Sequence, residues 1–408
     1  MNPQQLRELA LTGRISRRTL LTRSAAAGAA LAGAGMLAQR AIAQSPAPAS
    51  PAVTSADGLL VRPNAKNLDA TQKANLTNAI LTLKIKPSPW FTGLSVYDSF
   101  VLVHRDALNC AINAAHMGPA FLPWHRQFLQ MFEEQLRLVE PTVVLPYWDW
   151  TVDQAPDSYL WQDDLMGPNG DPANNEAVMS GPFKKGSWEI TVFDPTDRVR
   201  IPYITRDFGA ASIAADLPTA ADVEEALAIS TYDSDPWTSA AVPGSSFRNT
   251  LEGWRDCAEQ RCSPDEGISS VCAMHSPKLH NRVHLWVSGE FGFRHMQGDG
   301  MDMGGGDSGS RIPMQSAEPG TTEVFGTMAA NSSPNDPVFW LHHANIDRLW
   351  SVWMARHGQV YEPQSGGPVG HNIDDPMWPY MEMGGLTITP RMMLDSRAMG
   401  FVYDTDLA

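Results

Sequence analysis

Cysteine is scarce in this chain, and net positive charge is missing. The 408 residues hold four cysteines, Cys110, Cys257, Cys262 and Cys272, none in C-x-x-C spacing. That disfavours a thiolate metal cluster. Three of the four fall in one short stretch before residue 280. In an exported protein one bridge among those three is expected, and the spacing does not choose the pair. The formal net charge is −15. Residues 1–43 carry six arginines against one glutamate, so the remainder stands near −20. Such a balance argues against nucleic acid and anionic membrane surfaces as partners, and it favours solubility. At 43% hydrophobic the chain can still bury a substantial core.

The apolar stretch near the N-terminus is short and rich in Ala and Gly, so it reads less well as a membrane anchor than as a leader. Ser16, Arg17, Arg18, Thr19, Leu20 and Leu21 form a twin-arginine signature ahead of it. Ala41 and Ala43 are the small residues that suit cleavage before Gln44. The expectation is a signal peptide over 1–43 and export through the twin-arginine pathway, to the periplasm or outside the cell. Residues 44–57, rich in Pro, Ala and Ser, are expected to be a flexible linker. Residues 58–408 then make one catalytic domain.

What is present is histidine in two groups. His104, His116 and His125 form the first; His280 and His284 in HNRVH, with His342 or His343, form the second. A lone histidine on an apolar helix face is more often a packed core residue than a ligand. Six in two triplets point instead to a pair of metals, and all-nitrogen ligation suits copper, zinc, iron or nickel. His275, His295, His357 and His371 have no such partners and read as surface or structural.

His280 and His284 lie four residues apart, on one helix face. The pattern approaches the HExxH zinc motif, but position 281 is Asn and the general-base carboxylate is lacking, which weakens a zinc hydrolase. Asn335 or Asp336 can cap the helix carrying the last pair, and Pro337 suits its first turn. His342 and His343 point about 100° apart on that helix, so one of them reaches a given metal. His343 shares a face with Phe339 and Asp347. Asp347 is therefore expected to support a ligand histidine, which leans towards His343. His104 and His125 sit in amphipathic helical runs, while His116 precedes Met117, Gly118 and Pro119 and belongs to a loop.

The segments HMGPAFLPWHRQFL, LPYWDW, FRNTLEGW, LHNRVHLWVSGEFG, SPNDPVFWLHHANIDRLW, GHNIDDPMW and GFVYD resemble the tyrosinase family, over about Val61 to Tyr403. The resemblance implies a mainly α fold: an antiparallel four-helix bundle holding a dicopper site, with long irregular loops and a few short strands. It implies two copper ions, one on His104, His116 and His125 and the other on His280, His284 and His343, with His342 beside them. It also implies O2 as oxidant and a phenol, diphenol or aminophenol as substrate, leaving as a quinone or quinone imine.

Several positions depart from that family. Relatives often carry a Glu eight or nine residues before the first histidine of the second group, which with the Asn orients a water that deprotonates a monophenol. Here those positions are Val271 and Cys272. Asn281 is the catalytic candidate without a visible carboxylate, or else it stabilises a helix turn. Diphenol or o-aminophenol oxidation is the safer expectation. The fungal thioether cysteine is replaced by Ala114, so no such link is expected, and Cys110 reads as a buried thiol. The residue that can cover one copper corresponds to Ala330, whose small size suggests an open site. The chain stops soon after GFVYD, so no built-in lid is expected, and a separate copper chaperone remains open as a partner.

Helices are expected over 69–84, 97–110, 123–140, 279–288 and 336–356, irregular excursions over 153–243, and short closing strands over 387–394 and 399–404. The Gly- and Met-rich stretch 293–320 reads as a solvent loop in preference to a copper-entry site. A haemocyanin-like oxygen carrier is the different-class alternative, and the lack of any shielding segment counts against it. A storage protein would favour sulfur ligands.

Overall fold

Residue spacing places five helices of this chain, and the computed structural model bears out each of them over its described residues. It describes residues 52–407 apart from 109–113, 194–197, 239–243, 254–259, 264–266, 271–277, 290–325 and 381–386. The expected leader, the thiols Cys110, Cys257 and Cys272 and the Met-rich stretch 293–320 lie outside the described residues, as does the Cys262 side chain; the proposed bridge does too.

The first helix, α1 (Ala70–Ile85), starts at a reciprocal cap. Asp69 Oδ1 accepts the Gln72 N–H at 2.8 Å and Gln72 Oε1 accepts the Asp69 N–H at 2.9 Å. Helix α2 (Val96–Ala107) is capped by Ser95, whose Oγ accepts the Asp98 N–H at 2.9 Å. Helix α3 (Phe121–Arg137) begins two residues earlier than the spacing suggested, directly after the Gly118–Pro119 break. Short helices α4 (Ala220–Leu227) and α5 (Phe247–Glu252) punctuate the irregular region. Helix α6 (Leu279–Ser288) ends at Gly289, and α7 (Val338–His357) ends at Gly358. At the start of α7, Asp336 accepts the Val338 N–H at 3.1 Å, while Asn335 instead pairs with the backbone of Thr191.

The four-helix bundle is α2, α3, α6 and α7, with α1 laid against α2 and α3. Fifteen of the 20 residues of α7 are buried, so this helix is the axis of the core. That explains its lack of a polar face: a helix covered on all sides needs none. Trp340 of α7 stacks on Phe132 of α3 with ring centroids 3.6 Å apart, and its indole donates to Tyr97 of α2 at 3.0 Å. One side chain thus locks three helices.

Strands are few. β1 (Leu60–Arg62) pairs in parallel with β6 (Phe401–Tyr403), in the register Val61↔Val402. β2 (Ile190–Phe193) and β3 (Arg198–Ile201) form an antiparallel hairpin, as do β4 (Gln260–Ser263) and β5 (Gly267–Ser270). The strand expected over 387–394 does not form. Pro390 opens a 3-10 turn, Pro390–Met393, because its ring fixes φ and removes an N–H that a ladder would need. Within the segment read as linker, Val53 accepts the Val61 N–H at 3.0 Å and Thr54 bridges to Leu60.

A buried ionic cluster joins β1, α3, α7 and β6. Arg62 donates to Glu133 at 2.8 Å and to Asp347 at 3.4 Å. Arg126 donates to Asp347 at 2.6 Å, and Tyr403 donates to the same carboxylate at 2.6 Å. Asp347 therefore does not support His343, as its spacing suggested. The i+4 relation put it on the right helix face, but guanidinium groups from α3 and β1 occupy both of its oxygens.

Removing that carboxylate strands two buried guanidinium groups. Asp347→Ala is expected to cost about 3–5 kcal/mol of folding stability. Equilibrium urea unfolding checks this; a loss below about 1 kcal/mol, the surface-pair range, would mean the cluster is not a structural unit.

Candidate metal centre

The first three histidines arrive from two helices and the loop between them. His104 lies in the last turn of α2 and His125 in the first turns of α3. The loop carrying His116 is held by its surroundings. Met117 adopts φ 56°, and a Cβ at Gly118 would stand 2.6 Å from Cε1 of His371, so only glycine fits. His371 Nδ1 accepts the Ala120 N–H at 3.1 Å, and Tyr232 donates to the Pro119 carbonyl at 2.7 Å. The structural reading of His371 is consistent with this role. His280 and His284 lie one turn apart on α6, and His343 lies on α7.

Five of the six rings are oriented through Nδ1, while His343 Nδ1 is buried without a hydrogen-bond partner. His104 Nδ1 donates to the Asn331 carbonyl at 2.7 Å, His125 to Phe121 at 2.8 Å and His284 to Met328 at 2.6 Å. His116 Nδ1 donates to Glu252 Oε1 at 3.2 Å, and His280 Nδ1 to Asn281 Oδ1 at 2.9 Å. With the proton fixed on Nδ1, the lone pair sits on Nε2. Those Nε2 atoms converge: His104 and His116 at 3.2 Å, His280 and His343 at 3.2 Å, His284 and His343 at 3.3 Å. His125 Nε2 is buried without a hydrogen-bond partner.

Lone pairs facing one another repel unless a cation lies between them. Two nitrogens about 2.0 Å from one tetrahedral ion sit about 3.3 Å apart, so these contacts match ligation. One nitrogen from each of His104, His116 and His125 lies within 4.8 Å of the others, and the same holds for His280, His284, His342 and His343. His342 belongs to the second group by this measure, but its ring stacks on His280 at 5.2 Å, whereas His343 makes the short Nε2 contacts. The two groups adjoin: the rings of His125 and His343 stack with centroids 4.3 Å apart.

Burial pushes His104, His125, His280 and His343 well below the ordinary imidazole value, and His284 down to about 4. Neutral imidazole is the form that binds metal.

Two further features frame the centre. Ala330 is buried, between Met328 and Asn331, whose carbonyls orient His284 and His104. Glu252, at the end of α5, was not singled out by its spacing. Its Oε1 accepts from His116 Nδ1 and, at 2.7 Å, from the Met117 N–H, and its Oε2 accepts from Arg248 at 2.9 Å. Its own carbonyl lies 3.3 Å from His280 Nδ1. Burial alone would raise this carboxyl, but the His116 hydrogen bond and the Arg248 charge outweigh it and hold it below the usual range. The carboxylate sought at Val271 or Cys272 is thus supplied 28 residues before His280. Counting a fixed offset back from His280 fails, because the hairpin β4–β5 lies in between. The motif FRNTLEGW was the signal that would have found it.

Residues 94–356 match the common central domain of tyrosinase. This chain belongs to the tyrosinase family. It is a copper oxidoreductase of the tyrosinase and catechol oxidase type. A tyrosinase of Streptomyces glaucescens is 34% identical over 354 residues, covering 85% of this chain and 100% of that one. A grixazone synthase of Streptomyces griseus is 33% identical, covering 84% and 99%. A solved polyphenol oxidase of Thermothelomyces thermophila (mutant G292N) shares the fold with a TM-score of 0.54 at 21% identity, over 86% of this chain and 90% of that one. The mainly helical tyrosinase architecture expected from the motifs is thereby established.

The buried neutral imidazoles of this tyrosinase-family centre make a pH prediction. Their folded values lie below the unfolded one, so the unfolded chain takes up protons first as pH falls. Stability of the copper-free protein should therefore decline from about pH 6.5 downwards, continuing to about 4 for His284. Urea midpoints at pH 7.5 and 5 test this; equal midpoints would mean that these rings are not held neutral.

Proposed function

We propose that His104, His116 and His125 hold one copper ion, that His280, His284 and His343 hold a second, and that the protein uses O2 to oxidise o-diphenols to o-quinones. The observation that carries this reading is the convergence of Nε2 atoms in two adjoining groups. The copper pair, when bound, supplies the electrons that reduce O2. The chain supplies the rest. The Nδ1 hydrogen bonds fix the tautomer and aim of His104, His116, His125, His280 and His284, and the buried walls of α2, α3, α6 and α7 exclude water.

Phenol hydroxylation belongs to the same proposal, because Glu252 restores the carboxylate whose apparent lack argued against it. Asn281 Nδ2 is buried without a partner, while its Oδ1 accepts from His280. The Glu252 carbonyl approaches the same ring nitrogen, His280 Nδ1, at 3.3 Å. An amide donor beside His280 and an anionic carboxylate beside His116 are the groups needed to orient a water that takes the phenolic proton. o-Aminophenol oxidation is the alternative, with the same residues in the same roles.

We also propose export by the twin-arginine signature at 16–21, with the mature protein in the periplasm or outside the cell and a separate copper chaperone as partner. Among the described residues no helix is long and apolar enough to cross a membrane.

Oxygen uptake by the copper-loaded protein tests the reading with catechol, o-aminophenol and tyrosine in parallel. Catechol turnover is expected, with tyrosine also consumed. In Glu252→Gln, tyrosine turnover should fall at least about 100-fold while catechol turnover falls much less. Equal losses on both substrates would reduce Glu252 to a support for His116. No uptake with two coppers bound would overturn the oxidase reading in favour of an oxygen carrier. Ligand identity is checked separately: His343→Ala should retain one copper per chain and His342→Ala two. Equal copper loss in both would sink the assignment.

A further inference from the structure

Methionines gather in one place on the far side of α3. A cleft of about 370 Å³ opens between α3 and the segment 388–399, and four of its ten wall residues are Met131, Met392, Met393 and Met399. Methionine is only 19 of 408 residues overall, so this wall is strongly enriched. Met393 is buried, Met131 and Met399 are part-buried, and Met392 is exposed, so the set runs from the interior to solvent. Gln130 fixes the rim by donating to the Met399 carbonyl at 3.3 Å, and Glu134 adds a carboxyl to the wall.

Methionine often fills irregular gaps in a core, and that use ends with the gap filled. Here the gap stays open and three of the four residues keep contact with water. The cleft also lies close to the histidine centre without belonging to it. Glu134 is nine residues past His125, about half a turn round α3, so the cleft occupies the opposite helix face. At its floor the Met393 carbonyl accepts from Arg126 at 2.7 Å, and Arg126 is the chain neighbour of His125.

We propose that this cleft is a third copper site, selective for Cu(I), which holds the ion at the surface before it reaches the histidines. Soft thioether ligands select Cu(I) over zinc and Cu(II), whereas imidazole does not discriminate in that way. All six ligand histidines are buried, so a waiting place for the ion on the outside of a ligand-bearing helix has a use. The thioethers are neutral, so the ion enters and leaves as Cu(I) with no proton or electron exchanged. The use of the site, though not its chemistry, rests on the reading of the two histidine groups as copper sites.

The test is an anaerobic Cu(I) titration of the full chain against a chromophoric chelator, comparing the wild type with the triple variant Met131→Leu, Met392→Leu, Met399→Leu. The wild type should take up three equivalents and the variant two, with equal catechol turnover once both are loaded. X-ray absorption on the third equivalent should show sulfur ligands. Two equivalents in the wild type, a third that survives in the triple variant, or a shell of nitrogen and oxygen alone would overturn the proposal. A wild type that binds a single, sulfur-ligated equivalent would leave the cleft standing and sink the histidine reading instead.

Discussion

The contact between Arg126 and Asp347 fixes the distance between the two helices on which the centre depends. Arg126 follows His125 on α3, and Asp347 lies one turn beyond His343 on α7. The 2.6 Å contact between them is fully buried, and charges are held there only because every oxygen and guanidinium nitrogen finds a partner. Arg62 and Tyr403 complete the set from the two ends of the described chain, which are joined by the parallel pairing of β1 with β6. The consequence at the site is the 4.3 Å stacking of His125 on His343, the place where the two histidine groups meet. Spacing between the helices becomes spacing between the groups.

The long irregular segments have a related task. A histidine that binds metal through Nε2 needs an acceptor for its other ring N–H, and the bundle's own backbone is already paired. Only His125 finds its acceptor one turn back on its own helix. His104 and His284 use carbonyls of Asn331 and Met328, in the turns that lead into α7, and His116 uses the end of α5. The loops thus aim His104 and His284, while His280 leans on Asn281 of its own helix.

The main helices were legible because they follow from spacing along one element, and the two histidine groups because six histidines stand at helical or loop spacings around them. What failed was whatever depended on a partner distant in sequence. Asp347 had the right periodicity, but its partners come from residues 62, 126 and 403. Residues 387–394 looked like a strand by composition, yet Pro390 rules out a ladder there, and only β6 meets a partner, β1. Glu252 was passed over because an inserted hairpin breaks any fixed count from His280, while three-dimensional proximity survives the insertion.

Glu252 also shows how one residue can link both groups of histidines. Its carboxylate holds His116 of the first group, and its backbone carbonyl approaches His280 of the second. Arg248 and Asp233 form a buried pair behind it, so the local charge of the three is −1, a counterweight to bound cations. The hydrogen bond from His116 requires Glu252 to stay anionic, since a proton on Oε1 would displace that donor and release the ring. A role as permanent proton store is therefore incompatible with its role as a support. A proton taken from a phenol can rest there only briefly, or else on a water shared with Asn281, whose free amide hydrogens point to the second arrangement. The His116 hydrogen bond and the Arg248 charge lower the carboxylate's affinity for a proton, which favours the shared water as its resting place.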